Sequence, residues 1–130
     1  MKPTRFLALI SLALFCMPAS ASVDGIPAIR EITTYPFIAT LERAEIIRRG
    51  LANVSVGMSS AEVATVLGEP DEIYPLYVPR HKHGKVVGYT QWYVIQRLAK
   101  NGSVDQKQES LLRLSFDLDG KVSKIDSWGL

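Results

Sequence analysis

The chain has 130 residues, enough for one domain. Its composition, 47% hydrophobic and 22% charged, is typical of a folded globular protein and argues against intrinsic disorder. Fifteen Lys and Arg residues face 13 Asp and Glu, and 13 of each remain when Lys2 and Arg5 are set aside. Such a balanced charge excludes the strongly basic surface typical of nucleic-acid-binding domains.

The first 21 residues have the pattern of a secretory signal peptide. Lys2 and Arg5 make a basic start, the apolar run from Phe6 to Met17 follows, and Ala19-Ser20-Ala21 has the small-residue pattern of a cleavage site. We expect cleavage after Ala21. The apolar run is short for a membrane span, so no transmembrane segment is predicted, and an uncleaved N-terminal anchor is the alternative.

Cys16 is the only cysteine and lies inside this leader. The residues before it, Leu14 and Phe15, are larger than those that precede an acylated lipoprotein cysteine, so the pattern argues against lipidation. A chain cleaved after Ala21 has no thiol, no disulfide and no cysteine metal site.

Residues 22–36 contain Gly, Thr and Pro and are predicted to form an extended or flexible lead-in, or an arm that binds a partner. A single domain is expected over residues 37–130. Its first predicted helix runs from Phe37 to Leu51, because Phe37, Leu41, Ala44, Ile47 and Leu51 recur at spacings of three and four.

A second, shorter helix is delimited by signals at both ends. Ser59 with Glu62 forms a capping box, and Met58 with Val63 has the spacing of a hydrophobic staple. Gly68 can adopt a positive φ at the helix end, and Pro70 prevents continuation. The motif as a whole comprises Gly57, Met58, Ser59, Glu62, Val63, Leu67, Gly68 and Pro70.

The remaining chain predicts antiparallel strands. Tyr89–Leu98 is rich in aromatic and β-branched residues, and Leu112–Leu118 alternates apolar with polar residues. Asp119-Gly120 predicts a hairpin to a last strand, Lys121–Trp128, in which the irregular apolar spacing indicates a bulge or an early end. Glu72–Pro79 is an open candidate for a fourth strand, confined to an edge by its prolines. Residues 99–109 are predicted to be a mobile polar loop.

These elements predict an α+β fold in which a two-helix hairpin packs on a three-stranded antiparallel meander, with a fourth strand left open. The motifs Gly57-Met58-Ser59, Glu62-Val63 and Leu67-Gly68-Glu69-Pro70 resemble the signature of the BamE-like (SmpA/OmlA) domain family. The aromatic strand Thr90–Tyr93 and the hairpin Leu112–Val122 resemble the rest of that family's pattern.

The resemblance implies a periplasmic or outer-membrane-associated protein of Gram-negative bacteria. Characterised members of this family help a larger complex to insert β-barrel proteins. The expected function is therefore that of an exported, non-enzymatic binding or scaffold module with a protein partner in the cell envelope. Whether the chain acts in outer-membrane assembly or binds another partner is open, as is dimerisation through an exposed sheet edge.

Few residues indicate a metal-binding or catalytic site. His81 and His83 are weak candidates for metal ligands, because a site needs three or four ligands and no cysteine or acidic cluster accompanies them. Glu69, Asp71 and Glu72 crowd one turn, but no base, nucleophile or oxyanion donor stands beside them. No catalytic residue and no cofactor is therefore expected.

Large aromatic residues supply the candidates for partner binding, namely Trp92, Tyr93, Trp128 and Tyr77. The alternative for these side chains is burial in the core of a small sheet. Two further functions stay open. One is a secreted or periplasmic inhibitor of a hydrolase, which would use the sheet face of a BLIP-like fold. The other is an enzyme or small-ligand carrier with a pocket between helices and sheet.

Overall fold

The structure is a computed structural model that describes residues 25–78 and 84–130. Two helices pack against an antiparallel sheet of five strands, which confirms the predicted α+β class. The elements in chain order are β1 (Phe37–Ile38), α1 (Leu41–Asn53), α2 (Ser60–Leu67), β2 (Glu72–Tyr77), β3 (Val86–Arg97), the short helix α3 (Val104–Lys107), β4 (Ser110–Asp117) and β5 (Val122–Trp128).

The long strand β3 organises the sheet. One of its edges pairs with β4, which in turn pairs with β5. The other edge pairs with β2 over most of its length and with the two residues of β1 at its end, where Phe37 lies opposite Arg97. Pro75 thus lies on an edge strand, as predicted, and the open fourth strand is present. A fifth strand, β1, was not predicted.

Helix α1 begins four residues later than predicted. Thr40 caps its first turn by accepting a hydrogen bond from the Arg43 amide at 3.1 Å. Phe37 belongs to β1 because it pairs with β3, and Leu41, assigned to the apolar face by its spacing, is 90% exposed. Pairing with a distant strand therefore overrides the helical periodicity at this end.

The predicted capping box of α2 is present. The Ser59 hydroxyl accepts from the Glu62 amide at 3.2 Å, and the Glu62 carboxylate accepts from the Ser59 amide at 3.4 Å. At the other end Gly68 has a φ of +72° and its amide donates to the Ala64 carbonyl at 2.9 Å. Both ends of this helix are thus determined by local sequence.

The described residues form two apolar clusters, one on each side of the sheet. The main core lies between the helices and the sheet and consists of Ile26, Ala44, Ile47, Val54, Val63, Leu67, Tyr89, Tyr93, Ile95, Leu112, Leu114, Phe116 and Val122. The outer cluster lies on the opposite side and consists of Ile32, Val94 and Leu111, with Tyr35, Phe37 and Trp92 packed against it.

Residues 25–36, here called the arm, wrap around the edge of the sheet. Ile26 is buried in the main core, the backbone of Arg30 forms two hydrogen bonds with Ile73 of β2, and Ile32 is buried in the outer cluster. The arm is extended, as predicted, but its side chains pack against both faces of the sheet. The folded unit therefore starts before the predicted boundary at Phe37.

The segment between β3 and β4 contains α3, whereas the sequence predicted a mobile loop. Ser103 and Gln106 form a second capping box around this helix, and the Leu98 amide donates to the Lys107 carbonyl at 2.8 Å. The final hairpin is as predicted. Its register shifts where Ser115 and Phe116 of β4 pair with Lys124 and Val122, so the irregularity lies within the last strand, where a bulge or an early end was expected.

No helix in the described ranges is long and apolar enough to cross a membrane. The predicted signal peptide, Cys16 and the two histidines, His81 and His83, lie outside the described residues.

Candidate binding face on the open side of the sheet

The side of the sheet that faces away from the helices, here called the open face, carries an array of aromatic and charged side chains. Alternation along the strands places most of them there, because the neighbours of Trp92 and Arg113, namely Tyr93, Leu112 and Leu114, lie in the main core. The register shift between Val94 and Gln96 brings Arg97 to the same side. The open face consists of Glu72 and Tyr74 from β2, Trp92 and Arg97 from β3, Arg113 from β4, and Lys124, Asp126 and Trp128 from β5.

Three aromatic rings run across the strands of this face. Tyr74 meets Trp92 edge to face with centroids 6.2 Å apart, and Trp92 is parallel to Trp128 with centroids 6.5 Å apart. The Trp92 indole N–H donates to the Thr90 hydroxyl at 2.9 Å, which orients the ring. Trp92 is half-buried, whereas Trp128 is 43% exposed.

Arg113 connects the two tryptophans. Its guanidinium carbon lies 5.1 Å from the Trp92 ring centroid and 4.8 Å from that of Trp128, within cation–π range of both. Its Nη2 donates to Asp126 Oδ2 at 3.0 Å. Within the described part of the chain its buried Nε has no acceptor. Arg113 is thus held in one orientation beside an exposed indole.

A buried ion pair underlies the same face. Arg97 Nη1 donates to Glu72 Oε1 at 2.6 Å, and Glu72 Oε2 accepts from the Ile32 amide and the Tyr74 hydroxyl at 3.1 and 3.0 Å. Burial opposes the charge of Arg97, but the hydrogen bonds to Glu72 and Tyr35 together with the charges of Glu72 and Glu109 outweigh it and raise the pKa of Arg97. Burial and the Glu72 charge raise the pKa of Tyr74. These residues fasten the arm to β2 and β3.

A groove of about 190 Å³ opens beside Trp128. Val104 of α3, which is 85% exposed, lines this groove together with Gly102, Lys107 and Glu109. A second, wider groove of about 260 Å³ follows the arm, between Arg30, Phe37 and Asp71. Neither groove lies between the helices and the sheet, where a carrier or enzyme pocket was considered.

The four aromatic candidates from the sequence have different environments. Trp92 and Trp128 meet on the open face. Tyr93 is fully buried in the main core, where its hydroxyl donates to Gln91 Oε1 at 2.8 Å, so it cannot contact a partner. Tyr77 is 52% exposed at the end of β2, and no aromatic contact joins it to the array in the described residues.

Sequence reasoning missed Arg113, Arg97 and Val104. The alternation of Leu112, Arg113 and Leu114 does place Arg113 on the face opposite the core, so one signal was available. Its contact with two tryptophans from neighbouring strands depends on strand order and register, which no short stretch of sequence determines.

The crowded acidic residues are separated by the fold. Glu69 pairs with Arg30 at 3.2 Å on the surface, and Glu72 points into the buried ion pair. Asp71 accepts from the Val94 amide at 2.8 Å, and burial raises the pKa of its carboxyl group. Each carboxylate therefore has a structural partner of its own. Residues 25–78 and 84–130 contain no group of three or more His, Cys, Asp or Glu that could hold a metal ion.

Comparison with known proteins gives one remote likeness. No protein-family model matches the sequence, and no curated protein matches it. A crystal structure described as that of a candidate osmotically inducible lipoprotein, OsmE, is similar at 24% identity and a TM-score of 0.40, over 68% of this chain and 86% of that one. A likeness at this level carries no argument about function or partners.

Proposed function

We propose that this protein is an exported, non-enzymatic module of the bacterial envelope that binds a protein partner on the open face. The observation that carries the proposal is the pair of exposed apolar side chains, Trp128 and Val104, that line one groove, with Arg113 held against the indole. Tryptophan and arginine are enriched among residues that dominate binding energy in protein interfaces.

The groove suits one apolar or aromatic side chain of the partner. Trp128 and Val104 supply apolar lining. Lys107 and Glu109, whose Nζ and Oε1 atoms lie 3.8 Å apart, supply a polar rim. An apolar centre within a polar rim is the usual anatomy of an interface. Arg113 already pairs with Asp126, and Arg97 pairs with Glu72. The two fixed arginines can therefore orient a partner while they add little unpaired charge to the face.

The signal-peptide pattern of residues 1–21 supports export. The non-enzymatic role is supported by the three clustered carboxylates, because each has a structural partner of its own (Glu69, Asp71 and Glu72). An inhibitor of a hydrolase would use the same face, and the identity of the partner distinguishes the two roles.

Site-specific photo-cross-linking in the native cells tests the proposal. A photoreactive amino acid at position 104 is expected to give one discrete protein adduct, and the adduct is expected to disappear when Trp128→Ala is added. The matched control places the photoreactive residue at Leu41, which is 90% exposed on α1. A photoreactive residue at Tyr77 tests whether the partner reaches the far end of β2.

The proposal fails if positions 104 and 41 give the same adducts, or if the adduct at 104 survives Trp128→Ala. A hydrolase as the cross-linked partner, inhibited by the purified protein and not by its Trp128→Ala variant, would assign the inhibitor role.

A further inference from the structure

The two edges of the sheet are protected to different degrees. On one edge, β2 contains Pro75 and is paired with the arm at Arg30, and both features hinder the addition of another strand. On the other edge, residues 57–60 form a strap over the start of β5, where Gly57 donates to the Val122 carbonyl at 2.8 Å and the Val122 amide donates to Met58 at 2.9 Å.

Beyond this strap no described residue pairs with the outer edge of β5. From Ser123 to Trp128 the strand pairs with β4 alone among the described residues. It contains no proline and no glycine, and Ser123, Lys124 and Ser127 are exposed. An edge of this kind presents free backbone donors and acceptors to another strand.

We propose that a second copy of this chain adds its β5 antiparallel to this edge, so that the two sheets become one. The charge pattern of the strand selects the register. A two-fold axis through Ile125 places Lys124 of one copy directly opposite Asp126 of the other, and does so twice. A register centred on Lys124 or on Asp126 would instead place like charges opposite each other, which is destabilising.

The side-chain directions agree with this register. Lys124 and Asp126 both lie on the open face, so residues opposite each other across the axis are also on the same side of the joined sheet. The Lys124 ammonium is 3.7 Å from Asp126 Oδ1 in its own chain and its side chain is 66% exposed. Arg113 holds Asp126 Oδ2 independently. Lys124 can therefore turn to the partner's Asp126 while the carboxylate keeps its own arginine.

The strap limits the extent of pairing. It occupies the edge beside Val122, which would otherwise lie opposite Trp128 of the second copy. The pairing therefore covers Ser123–Ser127, five residues, and the dimer is expected to be reversible and sensitive to salt. A two-fold axis perpendicular to the sheet leaves both open faces on the same side, with the two Trp128 positions roughly 20 Å apart along the strands.

Directed disulfide formation tests the register. In a Cys16→Ser background, Ile125→Cys is expected to form a cross-linked dimer on mild oxidation, because residues opposite each other in antiparallel strands lie about 4.5–5.5 Å apart, within disulfide range. Ser127→Cys is the matched control, since its two copies would be four residues apart along the strand, roughly 13 Å. Equal cross-linking of both variants, or none with Ile125→Cys, overturns the register.

A charge reversal tests dimerisation without a new thiol. Analytical ultracentrifugation of the purified protein, expressed from the full-length sequence, is expected to show a concentration-dependent dimer. Lys124→Glu is expected to weaken the dimer about tenfold or more, because it replaces two attractive pairs by two repulsive ones. Lys100→Glu makes the same change of charge at an exposed loop position and is expected to have no effect. A protein that stays monomeric at every concentration overturns the proposal.

This inference does not depend on the proposed partner site. Ile125 packs against the main core, so Ile125→Cys leaves the side chains of the open face unchanged. Absence of the cross-link at position 125 with an intact adduct at position 104 rejects the dimer alone, whereas loss of the adduct with an intact cross-link rejects the partner site alone.

Discussion

Asp71 is a half-buried acidic side chain whose carboxylate is bonded to a backbone amide. Its carboxylate accepts the Val94 amide at 2.8 Å, where β2 begins and β3 is already paired with β4. Burial raises the pKa of Asp71 above the ordinary value of 3.8, while the Val94 hydrogen bond and then the Arg43 charge partly offset that effect. The folded state consequently binds this proton more tightly than the unfolded state does.

The sign of the pH dependence follows from this raised pKa. The contribution of Asp71 to the free energy of unfolding is fully present below the unfolded pKa and is lost as pH rises through the folded pKa. Asp71→Asn has no carboxyl group to ionise, so it removes this loss of stability with rising pH. Its amide oxygen can still accept a hydrogen bond from the Val94 amide. The variant is therefore expected to gain stability relative to the native protein on going from about pH 3 to about pH 7.

Urea unfolding at the two pH values measures this difference. Asp105→Asn, which removes the same charge at an exposed position of α3, is the control for a general effect of charge. If the stability of Asp71→Asn relative to the native protein falls with rising pH, the burial argument is wrong.

Gly50 of α1 packs closely against Leu67 of α2. A Cβ atom at this position would lie 2.0 Å from Leu67 Cδ2 and 3.1 Å from its Cγ. Gly50 is buried inside α1 although glycine weakens a helix relative to alanine by about 1 kcal/mol. The gain from close packing of the two helices therefore outweighs helix propensity here.

Gly50→Ala is expected to destabilise the protein by about 1–3 kcal/mol, because overpacking outweighs the better propensity of alanine. Chemical denaturation measures the change. Leu67→Ala removes the atoms that clash, so in that background Gly50→Ala is expected to be neutral or stabilising. A similar loss in both backgrounds would show that the contact with Leu67 is not the cause.

At the scale of the whole molecule, the arm joins the two sides of the sheet. It contributes Ile26 to the main core and Ile32 to the outer cluster, and the buried Arg97–Glu72 pair fastens it through the Ile32 amide. The Arg97 and Glu72 side chains are 8% and 4% exposed, so neither charge can recover hydration when the other is removed.

Arg97→Met is expected to cost about 3–5 kcal/mol of unfolding free energy, because it leaves the Glu72 carboxylate buried without a counter-ion. Thermal or urea unfolding measures this loss. Arg49→Met is the control, since Arg49 pairs with Glu45 in an exposed i,i+4 arrangement for which about 0.3–0.5 kcal/mol is typical. Adding Glu72→Gln to Arg97→Met is expected to recover part of the stability. A loss no larger than that of Arg49→Met would contradict the role of the pair.

The sequence alone determined those features that depend on a few neighbouring residues. The capping box of Ser59 and Glu62, the positive φ of Gly68 and the Asp119-Gly120 turn are local, because each involves atoms within about one turn of chain. The alternation in β4 and the aromatic composition of β3 were also sufficient to predict an antiparallel sheet covered by helices.

Only the tertiary structure decided which of these residues meet. Phe37 joins a strand because β3 is long enough to pair with it beyond β2, and Tyr93 is buried because its face of β3 carries the helices. The contact of Arg113 with Trp92 and Trp128 requires the order and register of three strands. These contacts depend on packing and hydrogen bonds between residues that are far apart in the sequence. No short stretch of sequence determines which of those residues come together.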